Sequence, residues 1–277
     1  MTEVTVDPQA FRDFEIAGWE TKAVDYHRFY EPITSHVIEP LLDAANVGSG
    51  TSVLDVATGP GYVAARAAAR GASVVGVDIS EGMAALAAAL HPEIEFRQAD
   101  AETLPFADGS FDAVVANFLV PHLGLPENVV VELTRVLAPG GRLALTTWDA
   151  PQRTRLLGVL VDAVVLAGAK PPPNLPPGPP FFRFSAEDEF AALLHQAGLE
   201  GIEIQSASFT HRLSGSDELW NGLLTGTIRT APLVLWQMVE TQGRIREAFD
   251  RLVCTYAVNG GIELPVSVKL ASGRKPG

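Results

Sequence analysis

The chain has 277 residues, 47% of them hydrophobic, enough to bury one large α/β core with or without an inserted lid. A formal net charge of −13 repels a phosphate backbone, and with no local basic patch it argues against nucleic acid as a partner. A single cysteine, Cys254, leaves no internal disulfide or thiolate cluster, and no His/Asp/Glu group has ligand spacing, so no metal is expected. The apolar runs fall short of a membrane span and the acidic N-terminus lacks a signal-peptide layout, so a cytoplasmic protein is expected.

From Phe11 to Ala45 the pattern predicts helix in two or three pieces, broken by Pro32 and Pro40. Trp19, Tyr26, Phe29 and Tyr30 are more aromatics than helix packing needs; they either cover a sheet edge or line a ligand site. Val53–Ala64, VLDVATGPGYVA, then reads as a buried strand, a turn at Gly59 and Gly61, and an Ala-rich helix from Val63 to Arg70. The glycines let the backbone bend sharply and expose N–H groups at a helix N-terminus. A second strand, Ala72–Val77, ends at Asp78, a carboxylate placed to accept hydrogen bonds from both hydroxyls of a ribose. Ser80 is the better cap for the next helix, which leaves Asp78 free, and Ile79 and Met83 are placed to pack on an adenine or ribose face.

A third strand, Ile94–Gln98, precedes Ala99-Asp100-Ala101-Glu102. A turn-rich link, with Phe106 and Phe111 as anchors, leads to a fourth strand at Ala113–Ala116 whose tip carries Asn117, Phe118 and His122. An amphipathic helix, Glu127–Leu137, ends in Pro139-Gly140-Gly141 and swings into a fifth strand, Arg142–Trp148. This alternation demands a parallel sheet with helices on both faces.

Gly59-x-Gly61-x-x-Ala64 with Asp78 satisfies the dinucleotide fingerprint, so a nicotinamide cofactor and an NAD-dependent oxidoreductase must be considered. Asp55 argues against it, because a carboxylate at the strand tip repels a pyrophosphate. A cationic nucleoside such as S-adenosylmethionine would instead be attracted through its ammonium and sulfonium centres.

With these motifs the chain resembles the class I S-adenosylmethionine-dependent methyltransferases of the small-molecule type, similar to the ubiquinone and menaquinone biosynthesis enzymes. The likeness is strong over Val53–Asp149 and weaker over Ala271-Ser272-Gly273-Arg274-Lys275-Pro276. It implies S-adenosyl-L-methionine as cofactor and a Rossmann-like, seven-stranded, mostly parallel sheet with an antiparallel last strand and a helical or loop lid. It further implies that Asp100 receives the adenine amine and the Ala101 N–H meets the ring, with Glu102 alongside. Tyr26 or Tyr30 would line the methionine end, and Asp55, Ala57, Thr58, Gly59, Gly61, Asp78, Ile79, Met83, Asn117 and Phe118 complete the expected cofactor set. One departure is Ala57-Thr58, where the family has a glycine followed by Cys or Thr; a slightly tighter pocket is expected. His122 is the candidate general base if the acceptor must lose a proton, and otherwise a structural hydrogen-bonding residue.

Beyond Asp149, Arg153–Ala169 reads as helix and Lys170–Pro180, KPPPNLPPGPP, as a stiff extended loop. It is expected to be a substrate lid, with Phe181, Phe182 and Phe184 as an apolar wall. Ser185 should cap a helix to Ala197, and a sixth strand runs over Ile202–His211. Helical patches over Asp217–Phe249, with Trp220, Trp236 and Met238, are expected to complete the acceptor chamber before a final strand near Leu264–Ser272. The expected organisation is one methyltransferase domain: a helical cap (1–46), a cofactor core (47–150), lid and substrate elements (151–250) and a closing strand (251–277). A small, apolar or aromatic acceptor and a monomer or homodimer are expected, with a methyltransferase fold that binds the cofactor without methylating (a cyclase or regulatory module) as the other reading.

Overall fold

A computed structural model describes residues 6–277. The first helix, α1 (Pro8–Thr34), is 27 residues long and starts on Asp7, whose side chain accepts from the N–H groups of Gln9 and Ala10. It runs through Pro32 without breaking, because the proline lies in the last turn, where few further bonds depend on it. A 3-10 turn at Ser35–Val37 leads into α2 (Ile38–Ala44), where Pro40 sits in the first turn and its missing N–H costs nothing. The expected number of pieces is therefore found, but neither proline makes the break.

The core then alternates as the pattern requires: β1 (Ser52–Val56), α3 (Tyr62–Ala69), β2 (Ser73–Asp78), α4 (Glu81–Leu90), β3 (Glu95–Gln98), β4 (Phe111–Ala116), α5 (Pro126–Val136) and β5 (Leu137–Trp148). After it come α6 (Arg155–Leu166), α7 (Glu187–Gln196), β6 (Glu200–Leu213), α8 (Ser216–Gly226), α9 (Pro232–Leu235), α10 (Val239–Val253), β7 (Ala257–Val258) and β8 (Gly261–Arg274). The sheet order is β3-β2-β1-β4-β5-β8-β6, with the two-residue β7 paired to β8 as an eighth strand beyond the seven expected. Strands β3 to β5 are parallel, whereas β8 inserts between β5 and β6 and is antiparallel to both.

Alternate residues explain why both faces are covered. Val53, Ala113, Val115 and Ala144 pack on α2 and α3, while Leu54, Val114, Ala116, Leu143 and Leu145 face α5 and α7. The Pro139-Gly140-Gly141 hinge lies inside β5 rather than before it. Pairing jumps there from Phe111 opposite Leu137 to Ala113 opposite Arg142, and a Cβ on Gly141 would come within 2.8 Å of the Asp112 carbonyl. Ser185 does not cap α7: it closes a 3-10 turn and donates its hydroxyl to the Phe182 carbonyl at 2.7 Å, leaving Ala186 at the cap.

At the tip of β5 the chain turns through Pro151 and reverses into α6, and this crossing fixes the ceiling of the cleft described below. The turn passes so close to the helix that a Cβ on Gly158 would lie 1.9 Å from the Pro151 carbonyl oxygen. Gly158→Ala is therefore expected to destabilise the protein by about 1–3 kcal/mol, since overpacking against backbone outweighs the roughly 1 kcal/mol helix preference of alanine. Thermal melts check this, and a raised melting temperature would show that the crossing is loose.

Candidate active site

Strand β1 drives Asp55 into the interior at 1% exposure, where its Oδ2 accepts from the Thr58 hydroxyl (2.6 Å) and the Ala64 N–H (3.0 Å). Its Oδ1 has no partner among the described residues. At the tip of β2, Asp78 accepts from the N–H of Gly59 at 2.9 Å through Oδ2 and from that of Ser80 at 3.0 Å through Oδ1. Two further bend donors are also taken: Thr58 N–H bonds the Val77 carbonyl (2.9 Å) and Gly61 N–H the Thr58 carbonyl (3.0 Å). With both glycine N–H groups spent, one on an acid and one on a carbonyl, the bend offers fewer donors to a pyrophosphate than such a bend normally does.

Burial pushes the Asp55 carboxyl up to about 7, against the opposing bonds from Thr58 and Ala64. Burial likewise raises Asp78 to about 6, with the bonds from Ser80 and Gly59 working against it and the charge of Glu20 adding to it. An unpartnered buried oxygen beside two such acids fits a positively charged group and disfavours an anionic one.

These strand tips open into a cleft of about 1210 Å³, counting its mouth and the solvent-open space in front of it. Of the expected residues it is lined by Tyr26, Ala57, Gly59, Asp78, Ile79, Met83, Asp100, Ala101, Glu102, Asn117, Phe118 and His122. Asp55, Thr58 and Gly61 stand behind that wall: Asp55 and Thr58 hold each other, and a Cβ on Gly61 would meet the Phe96 ring at 2.9 Å. Ala57 and Phe118, at φ of 54° and 61°, hold left-handed backbone that side chains rarely adopt. Both line the cleft, so strain is concentrated where the ligand surface is made. Phe118 is fixed by its N–H to the Thr146 hydroxyl (3.0 Å), which itself donates to the Asn117 side chain (2.5 Å), and by its ring against Trp148.

Helix α1 crosses the cleft and supplies residues that the sequence reading missed. Arg12 donates to the Asp100 carboxylate and lies 4.0 Å from Glu102. Glu20 accepts from the N–H groups of Glu81 (2.9 Å) and Gly82 (3.3 Å) at the start of α4. Between them, buried Glu15 bonds His122 Nδ1 at 3.0 Å and the Trp19 indole N–H at 3.2 Å, with Arg229 Nε 4.0 Å away. Arg12, Glu15, Ile16, Trp19, Tyr26 and Tyr30 all line the cleft, and their helical spacing was a readable signal. Arg229, in the link between α8 and α9, carried no such signal.

The other half of the cleft is apolar: Ile16, Trp19, Tyr30, Trp148, Leu157, Phe181 and Ile228. The expected acceptor wall is corrected in two places. Only Phe181 of the three phenylalanines reaches the cleft; Phe184 packs in the core against Phe190, and Phe182 packs beside the cluster around Trp148. Trp220 packs edge-on against Phe249, while Trp236 and Met238 are exposed, so residues 226–230 line the chamber in their place. Amphipathic spacing places these tryptophans on helices but does not tell which helix faces the ligand. The proline-rich loop itself is not among the residues lining the cleft; Arg229, which does line it, holds the loop's end by donating from Nη2 to the Pro179 carbonyl at 2.6 Å.

The match to known proteins agrees with this geometry. The family model described as "Methyltransferase domain" matches residues 54–145. A demethylmenaquinone methyltransferase from Beutenbergia cavernae is 36% identical over 169 residues, covering 58% of this chain and 70% of that one. Among solved structures, the YcgJ protein of Bacillus subtilis superposes with a TM-score of 0.59 at 21% identity, covering 87% of this chain and 99% of its own. A phosphoethanolamine N-methyltransferase of Haemonchus contortus, solved with S-adenosyl-L-methionine, gives 0.56 at 17% identity, covering 99% of this chain and 61% of its own. Sheet, bend and relatives together define a nucleoside-binding transferase fold. The chain belongs to the class I S-adenosylmethionine-dependent methyltransferases, and its cofactor is S-adenosyl-L-methionine. Among the described residues no cluster of His, Cys, Asp or Glu could hold a metal, and no helix is long and apolar enough to cross a membrane.

The left-handed Ala57 gives a direct check of the strained bend. Ala57→Gly removes a steric cost of about 1–2 kcal/mol, partly offset by about 0.4–1 kcal/mol of chain entropy. A net rise in unfolding free energy of about 0.5–1 kcal/mol is expected by denaturant titration, and a loss of stability would mean that the bend is not strained at this position.

Proposed function

We propose that the chain transfers the methyl group of S-adenosylmethionine to a small, largely apolar or aromatic acceptor held in the chamber formed by Trp19, Tyr30, Trp148, Leu157, Phe181 and Ile228. The observation that carries this reading is the two-part cleft, with acids and strained backbone at one end and aromatic and aliphatic walls at the other. In this assignment Asp78 accepts both ribose hydroxyls, Asp100 the adenine amine and the Ala101 N–H the ring. Ile79 and Met83 pack on the nucleoside, and Asp55, Tyr26, Asn117 and Phe118 surround the methionine end through or behind the wall at Ala57 and Gly59. Thr58 and Gly61 keep the bend in shape. Arg12 shares the Asp100 carboxylate with the adenine amine and so closes that edge.

Transfer to a carbon activated by the sulfonium needs nucleophile, methyl and sulfur held in line in a dry pocket, which the buried aromatic walls supply. The relative's name, a demethylmenaquinone methyltransferase, supports an apolar ring as acceptor. The family model ends at residue 145, before most of the chamber, so the acceptor is assigned by its chemistry alone. The antiparallel β8 and the two glycine N–H groups already bonded at the bend favour this over a nicotinamide oxidoreductase. The proposed division is a helical cap (1–46), cofactor core (47–150), chamber elements (151–250) and closing strand (251–277), acting in the cytoplasm as a monomer or homodimer and not on nucleic acid. Incubation with labelled cofactor and an aromatic panel such as 1-naphthol and 1,4-naphthalenediol tests the activity; S-adenosylhomocysteine should form only with an acceptor present.

Two quantitative outcomes follow from the acids. Asp78→Asn should weaken cofactor binding about 10- to 100-fold by calorimetry, the loss of one to two hydrogen bonds to a charged group. Because folded-state pKa values of about 7 and about 6 lie above the ordinary aspartate value of 3.8, the ligand-free fold binds these protons more tightly than the unfolded chain, and their contribution to stability falls as pH rises from about 4 to about 7. Cofactor binding has the opposite sign, since it requires the carboxylates: affinity should fall by up to about tenfold per pH unit per group as pH drops below about 7 to 6. A flat affinity between pH 8 and 5.5 would contradict this.

A further inference from the structure

We propose that Glu15 and His122 form a carboxylate–imidazole dyad that removes a proton from an acidic hydroxyl of the acceptor, which makes the acceptor a phenol- or enol-type molecule. This rests on the methyltransferase reading and deepens it. His122 ends a short 3-10 turn after β4 and lines the cleft, with Trp19 and Phe181 edge-on to its ring at centroid distances of 5.1 and 6.0 Å. Its Nδ1 is bound to a Glu15 oxygen at 3.0 Å, and among the described residues Nε2 makes no hydrogen bond.

Glu15 is 4% exposed, and two neighbours hold its charge in place. The Trp19 indole donates to the same oxygen that bonds His122, and the Arg229 guanidinium lies 4.0 Å from the other, which has no hydrogen-bond partner. Arg229 is itself fixed by donating to the Pro121 carbonyl (2.7 Å) and the Pro179 carbonyl (2.6 Å), and its cation lies over the Phe11 and Phe181 rings. It therefore braces the backbone next to His122 and the carboxylate behind it at once. A buried carboxylate at Nδ1 fixes the tautomer with the proton on that nitrogen, so Nε2 is the basic atom left for the cleft.

The step balances without any further reagent. The acceptor hydroxyl gives its proton to Nε2; the oxyanion uses its electron pair to form the new bond to the methyl carbon; the carbon–sulfur bond breaks and its electrons stay on sulfur, giving S-adenosylhomocysteine. Where the ring carbon activated by the oxyanion attacks instead, the product is the ketone, which loses the hydrogen of that carbon as a proton and takes one up on oxygen to restore the aromatic hydroxyl. The imidazolium, opposite the Glu15 charge, then returns its proton to solvent. His122 is the catalytic residue and Glu15 its positioning residue.

The test compares transfer from S-adenosylmethionine to 1-naphthol, which must lose its proton, with transfer to 2-naphthalenethiol, which is largely ionised at neutral to mildly alkaline pH. His122→Gln should lose about 100-fold or more in kcat on 1-naphthol, at least about tenfold more than it loses on the thiol, with cofactor affinity by calorimetry within about threefold of wild type. For Glu15→Leu a loss of about tenfold on 1-naphthol is expected, with Glu15→Gln, which keeps an acceptor for Nδ1, recovering part of it. Nitrogen-15 NMR should find neutral His122 protonated on Nδ1 in the wild type and shifted toward the Nε2–H form in Glu15→Leu. Equal losses on both probes, transfer to the thiol alone, cofactor binding with no transfer to 1-naphthol, or an Nε2–H tautomer in the wild type would each overturn the dyad. Failure of the wild type to bind S-adenosylmethionine would instead overturn the methyltransferase reading beneath it.

Discussion

Everything at the cofactor end depends on two carboxylates buried at adjacent strand tips around a bend whose glycine N–H groups are already taken. Asp55 and Asp78 are costly in that position: burial raises both, and one oxygen of Asp55 is left without a partner. In a dinucleotide-binding fold the same bend keeps its N–H groups free and its strand tip uncharged. Here the polarity is reversed. A fold that keeps such acids gains from a ligand that carries positive charge and two hydroxyls, and the methionyl and ribosyl parts of S-adenosylmethionine have these.

The second organising element is α1. A 27-residue helix laid across the cleft lets one rigid segment address both ligands. Arg12 reaches Asp100 on the nucleoside side, Glu20 caps the start of α4, and Glu15 reaches His122 over the chamber. The two ends of the cleft are thereby bridged by the same body. The contacts of α1 with α8, through the Lys22 ammonium on the Leu224 carbonyl, and with the link after it, through Arg229, join the later half of the chain to the cofactor half.

Much of this was legible in the sequence because it is local. Strand, bend and helix at 53–70, the acid at the end of β2 and the parallel alternation to Trp148 all follow from short apolar runs and glycine placement, and they are found within a residue or two except at β5, which starts at Leu137, five residues before the expected Arg142. Ala57 shows the converse: the departure from glycine was visible, but its left-handed backbone was not, because an alanine gives no sign of positive φ. Beyond residue 150 the elements were legible and their faces were not. Trp220 and Trp236 sit on or beside the expected helices yet face the core and the solvent, because amphipathic spacing says which residues share a face and leaves open what that face meets. The Glu15–His122–Arg229 cluster joins residues more than 100 positions apart, a pairing that only the packed fold creates.

The most direct measurement of the central claim counts protons. Calorimetric titration of the protein with S-adenosylmethionine at pH 6, repeated in buffers of different ionisation enthalpy, reports how many protons leave as the ligand enters. Discharge of buried carboxylates onto a cationic ligand should release about one proton per cofactor bound, whereas no net exchange, or uptake, would contradict the role given to Asp55 and Asp78.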